Sequence, residues 1–174
     1  MFYREGGMTV FKMASYSGSQ EQNYETLLKQ LQTLIEDETD EITLLANASA
    51  LLNQFLDHIN WVGFYIWKDD ELVLGPFQGL PACTRIAYGK GVCGTAFKER
   101  KTLRVADVNQ FPGHIACDAA SRSEIVIPVV IKDQLYGVLD IDSPKIDRFD
   151  EVDQQYLEEY VRIMSQYLFS NLGN

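Results

Sequence analysis

Residues 124–143 read EIVIPVVIKDQLYGVLDIDS: two near-continuous apolar runs, Glu124 to Lys132 and Leu135 to Ile141, separated only by Asp133 and Gln134. A connection that short reverses the chain and leaves no room for a crossover, so the two runs read as strands paired antiparallel. Upstream the period of two returns. In Trp61 to Trp67, the positions Trp61, Gly63, Tyr65 and Trp67 alternate with Val62, Phe64 and Ile66, a strand apolar on both faces and therefore covered on both. Lys68, Asp69 and Asp70 turn the chain back into a partner strand at Glu71 to Pro76. Shorter strands are expected at Thr84 to Tyr88 and Thr102 to Ala106, with GKGVCG at 89–94 opening a brief helix through Thr95 to Arg100 between them.

Outside this strand set the period is helical. From Gln20, Tyr24, Leu27, Leu28, Leu31, Leu34 and Ile35 follow the spacing of an amphipathic helix that ends in the acidic run Glu36 to Asp40. A second helix, with Asp40 as N-cap, carries the stripe Ile42, Leu45, Ser49, Leu52, Phe55 and Leu56, and the chain leaves it at His58 to Asn60. A closing helix from about Asp150 places Val152, Tyr156, Tyr160, Val161, Met164, Tyr167 and Leu168 on one face. Strands joined by tight turns and flanked by helices describe an α+β domain with an antiparallel sheet of about six strands. A doubly wound parallel fold would need a helix after almost every strand, and only one strand link here has one. No period of 20 to 50 residues repeats, which excludes solenoids and propellers.

The whole chain, 174 residues with 46% apolar and 23% charged, suits one globular domain that needs no disulfide staple or structural metal to hold its core. Residues 1–19 have no clear period and are read as a flexible leader, leaving 20–174 as the domain. A net charge of −10 repels a phosphate backbone, so nucleic acid is not an expected partner. No apolar run approaches the ~18 residues that span a bilayer, and the opening has no signal-peptide core, so a cytoplasmic protein with no membrane partner is expected. Three cysteines, an odd number, are not a paired secreted framework.

Several features can carry chemistry. Gly89, Gly91 and Gly94 fit G-x-G-x-x-G, but the parallel βαβ setting of a dinucleotide site is missing, so they read as glycines bending a strand into a short helix. The cysteine spacings lack the close pairs a zinc site wants; His114 with Cys117 is at best half of one, and no metal is expected. His58 reads as a surface residue at a helix end. Cys83 lies in a Pro-bearing loop, Cys93 at a helix start, and Cys117 in the sixteen-residue connection Asp107 to Arg122, which is long enough to be functional. Small apolar fillers and reactive thiols remain equal readings for them, with the helix terminus favouring a thiolate at Cys93. Glu124 opens its strand, while Asp140 and Asp142 share a face of the last one. Acids there either meet a ligand ammonium and share a proton, or cap the turn at Ser143 and Pro144. Trp61 and Tyr65 share a face too, as core packing or as a cavity wall.

Taken in order, NWVGFYIW, GPFQGLPAC, GKGVCGTAF, DVNQFPGHIACD, SEIVIPV and GVLDIDSP resemble the free methionine-(R)-sulfoxide reductases, which are single GAF domains, over about residues 20–170. The resemblance implies a closed pocket in which Cys117 attacks the sulfoxide, Cys83 resolves, and Cys93 can substitute for it or attack. It further implies that Glu124, Asp140 and Asp142 polarise the sulfoxide oxygen and bind the ammonium, while Trp61 and Tyr65 hold the methyl end. A sulfenic acid and then an intramolecular disulfide would follow, reset by thioredoxin with electrons from NADPH and no bound cofactor. A homodimer is implied as well. The competing reading is a small-molecule or redox-sensing GAF module without turnover. Against the nucleotide-binding version stand the absence of an Asn-Lys dipeptide and of room for an output domain.

Overall fold

The computed structural model describes residues 2–5, 8–12, 14–114 and 118–171. Two short strands, β1 (Phe2–Glu5) and β2 (Met8–Phe11), pair with each other, followed by α1 (Gln20–Ile35) and α2 (Glu41–Phe55). Ser19 and Gln22 form a capping box at the start of α1, and Asp40 caps α2 by accepting from the Thr43 amide at 2.8 Å. The α2 stripe differs from the sequence expectation at its first position. Ile42 is 66% exposed, and the buried face is Leu44, Leu45, Ala48, Ser49, Leu51 and Leu52.

The main sheet comprises β3 (Trp61–Lys68), β4 (Glu71–Gly79), β5 (Arg85–Ala87), β6 (Leu103–Val105), β7 (Ser123–Ile131) and β8 (Gln134–Ser143), in the order β5-β4-β3-β8-β7-β6. Every pairing is antiparallel, as the α+β reading expects. Strand β4 runs on to Gly79, past Pro76 where the sequence suggested its end. A bulge between the Gly63 and Tyr65 pairings gives the amide-less proline a place without a ladder bond. The β7–β8 reversal centres on Lys132 and Asp133, one residue earlier than expected, and the β3–β4 reversal on Asp69 and Asp70. All four residues have φ between 49° and 65°, the mirror-image turn that matches strand twist.

Helices α1, α2 and α4 (Glu151–Asn171) cover one face of the sheet, packing on Val62, Phe64, Ile66, Ile125, Ile127, Leu139 and Ile141. Phe11 and Tyr16, from the stretch excluded on sequence grounds, pack against this same core. The opposite face carries α3 (Gly91–Glu99) and the loops, around Trp61, Tyr65, Ile86, Cys93, Phe97, Val126 and Val138. Two glycines permit the close approaches this second layer needs. A Cβ on Gly137 would lie 2.1 Å from the Tyr65 carbonyl oxygen, and one on Gly63 would lie 2.3 Å from Phe77 Cβ and 2.7 Å from the Trp61 ring.

Candidate active site

The register of the central strands builds the site. Trp61 of β3, Asp142 of β8 and Glu124 of β7 stand side by side in one cross-strand row; Gly63, Asp140 and Val126 form the next. Since alternate residues share a face, Trp61, Tyr65, Glu124, Asp140 and Asp142 all turn toward α3. Glu124 is 5% exposed and Asp140 6%, so three acids crowd a wall with little solvent. They line a small cavity of about 40 Å³ with Trp61, Tyr65 and Cys93.

The aromatic pair does more than fill space. Trp61 stacks on Phe77 at 5.3 Å and on Tyr65 at 5.9 Å between ring centroids. Trp61 Nε1 donates to the Leu80 carbonyl at 3.1 Å, and the Tyr65 hydroxyl donates to the Cys83 carbonyl at 3.0 Å. The loop bearing Cys83 is thus pinned at two points to the strand that carries the cavity wall. Cys83 is disulfide-bonded, and Cys93 is a free, buried thiol. Cys117 lies outside the described residues, but the two described residues nearest it on either side, His114 and Asp118, both line the cavity.

The first turn of α3 reaches the cavity because the chain makes a tight bend before it. Gly89 and Gly91 have φ of 70° and 60°, and a Cβ on Gly94 would lie 2.6 Å from the Ala87 carbonyl oxygen. The G-x-G-x-x-G spacing therefore serves the backbone.

A GAF domain model matches residues 38–168. The free methionine-R-sulfoxide reductase of Escherichia coli is 52% identical over 145 residues, 83% of this chain and 88% of that one. The chain belongs to the free methionine-R-sulfoxide reductases, a GAF-domain family. Among solved structures, the reductase of Neisseria meningitidis in complex with its substrate superimposes with a TM-score of 0.89 at 41% identity, covering 92% of this chain and 97% of that one. The reduced form of the Staphylococcus aureus protein gives 0.83 at 56% identity, over 90% and 99%.

In this reductase the electrostatics of the cavity follow from burial. Desolvation, and then the charges of Asp140 and Asp142, push the Glu124 carboxyl well above the ordinary range. Asp142 is raised by burial and by Asp140, against a hydrogen bond from Ser121. Asp140 rises to about 6, burial being offset by hydrogen bonds from Cys93 and Glu124. Glu124 thus holds the proton it shares with Asp140. Cys93 overturns the thiolate expectation. It is the third residue of α3, yet it is 4% exposed and faces Asp140 and Glu124, so burial and like charge push its thiol well up. Half a unit of helix charge does not outweigh a dry, acidic setting.

Stability should record this acid row. A carboxyl whose folded pKa lies above its unfolded value keeps a proton that the unfolded chain has released, so its contribution is full below about pH 4 and is lost as pH rises through the folded value. Denaturation at pH 5, 6.5 and 8 is therefore expected to show the wild type losing about 1 to 3 kcal/mol more than Glu124→Gln. Parallel curves for the two proteins would contradict the assignment.

Several contributors escaped the sequence reading. His114, weighed in the sequence only as half of a metal site, lines the cavity. Asn60 donates to Asp118 at 2.8 Å and to Ser121 at 3.1 Å, which ties the start of β3 to the far end of the long connection. Only the proximity of His114 to Cys117 in sequence could have flagged any of them. His58 is exposed, as a helix-end residue should be. Among the described residues, no helix is long and apolar enough to cross a membrane.

Proposed function

We propose that the cavity binds free methionine-(R)-sulfoxide and reduces it to methionine by thiol chemistry in which Cys117 is the nucleophile and Cys83 the resolving thiol. The observation that carries this reading is the buried acid row beneath Trp61 and Tyr65. Among the described residues, the buried Asp140 Oδ1 has no hydrogen-bond partner, an acceptor waiting for a donor such as the substrate ammonium. Asp142 adds a second carboxylate to that end. Trp61 and Tyr65 offer ring surface to the methyl thioether end, and the amides of the first turn of α3 suit the substrate carboxylate.

The Cys117 thiolate attacks the sulfoxide sulfur while Glu124, the group that holds a proton, delivers it to the oxygen. Transfer of that oxygen to the cysteine leaves methionine and a sulfenic acid. The Cys83 thiol displaces the oxygen as water and forms a disulfide, and a reduced thioredoxin, supplied by NADPH, restores both thiols by exchange. The chain has three cysteines, Cys83 is disulfide-bonded and Cys93 is free, which favours Cys83 with Cys117 as the couple. No bound organic cofactor is needed. A cytoplasmic setting belongs to this reading, and the family resemblance adds a homodimer, open to sedimentation analysis.

The test is turnover of the two epimers of free methionine sulfoxide, followed by NADPH consumption with thioredoxin and its reductase. The R epimer is expected to turn over and the S epimer to remain. A folded protein inactive on both would instead favour a sensing module without turnover.

A further inference from the structure

We propose that Cys93, Glu124 and Asp140 form a site for one divalent cation of the zinc and cadmium class, and that a bound cation closes the cavity to substrate. The second half of that statement rests on the proposed function; the first does not. The Cys93 sulfur and one oxygen from each carboxylate all lie within 4.8 Å of one another. Cys93 Sγ and Glu124 Oε1 are 3.7 Å apart. A tetrahedral zinc ion with ordinary Zn–S and Zn–O bonds spaces those two donors by about 3.5 Å, so the pair already has the span of one edge.

Acidic clusters at surfaces commonly hold nothing, but this one is buried and incomplete. Asp140 is 6% exposed and lines the cavity, and among the described residues its Oδ1 has no hydrogen-bond partner. One thiolate with two carboxylates suits a borderline-soft ion, and the sulfur selects against magnesium and calcium. The three donors come from α3, β7 and β8 and all line the cavity, so a fourth ligand can reach the ion from the cavity side. Binding breaks no covalent bond except those to the protons of Cys93 and Glu124, which pass to solvent. Asp142, across the strand from Glu124, adds negative potential that helps replace those protons with a cation.

Cadmium is the probe, because its bond to a thiolate gives an ultraviolet charge-transfer band. In the Cys83→Ser, Cys117→Ser double variant, Cys93 is the only thiol, and titration is expected to raise the band to saturation at one equivalent. Adding Asp140→Asn or Glu124→Gln should weaken binding at least tenfold. If the double variant fails to fold, the oxidised wild type, with Cys93 as its free thiol, takes the same titration. No band at millimolar cadmium, or a band that neither carboxylate variant weakens, overturns the site. Methionine-(R)-sulfoxide should displace the ion; a saturable band that it does not displace upholds the cation site and overturns the closure of the cavity, and if the ion-free protein also fails to turn over the R epimer, the substrate reading falls with it.

Discussion

Cys117→Ser is expected to lower turnover of the R epimer by about a thousandfold or more with the fold intact, because a serine hydroxyl is not ionised near neutral pH and cannot form a sulfenic acid. The case for Cys117 rests on what the other thiols are. Cys93 is dry and faces two carboxylates, so it holds its proton where attack needs a thiolate. Cys83 is disulfide-bonded and anchored through its own carbonyl by Tyr65, a placement suited to receiving an attack. Cys93→Ser is accordingly expected to keep turnover within about tenfold. Cys83→Ser should still release about one methionine per chain in a single turnover and then stall as the sulfenic acid. Steady-state and single-turnover assays on the three variants separate these roles, and loss of the first turnover in Cys93→Ser with retention in Cys117→Ser would reverse the assignment.

The second large effect is expected at Asp140. Asp140→Asn keeps the shape and removes the acceptor proposed for the ammonium, which should cost about 10² to 10³ in kcat/KM, the usual scale for truncating one side of a buried charged pair. Binding should suffer more than the chemical step, so KM rises more than kcat falls. A substrate analogue lacking the α-amino group supplies the control. It should be poor with the wild type and only slightly poorer with Asp140→Asn, since the interaction is already absent. The same variant should be more stable than the wild type at pH 8, because one of three crowded acids is gone. Equal losses on both substrates would show that Asp140 serves the sulfoxide end instead.

The layout of the sheet was legible because strand alternation is a local property. Trp61 to Trp67 and Glu124 to Ile141 disclose their own faces, and two-residue turns leave only antiparallel pairing. That is why Asp140 and Asp142 could be placed together, with Trp61 and Tyr65 on one face of their own strand. What was hidden depends on register and on depth. Nothing in residues 123–143 reveals that Glu124 stands opposite Asp142, since a slip of one residue would have sent it to the helical face. The thiol of Cys93 was misjudged for a related reason. A helix start is visible in the sequence, whereas two carboxylates arriving from strands 31 and 47 residues later are not. Pro76 suggested a strand end because the bulge that tolerates it forms only against β3. The triad of metal-competent donors likewise has no local spacing that a motif could record.

The neighbours at the middle of the sheet, β3 and β8, are about 80 residues apart in the chain at the Trp61–Asp142 pair. A nascent chain that has completed α1, α2 and the β3–β4 hairpin already displays both aromatic anchors and, shortly afterwards, Cys83 and Cys93. It still lacks every carboxylate of the cavity. Because Glu124, Asp140 and Asp142 are among the last parts of the sheet to be synthesised, the acid wall of the cavity is complete only when β8 lies between β3 and β7. A stalled intermediate ending between residues 118 and 123 has all three thiols and none of Glu124, Asp140 and Asp142 beside them. Its thiols are open to disulfide exchange with no substrate chemistry to direct them, so quality control during synthesis falls on the final hairpin.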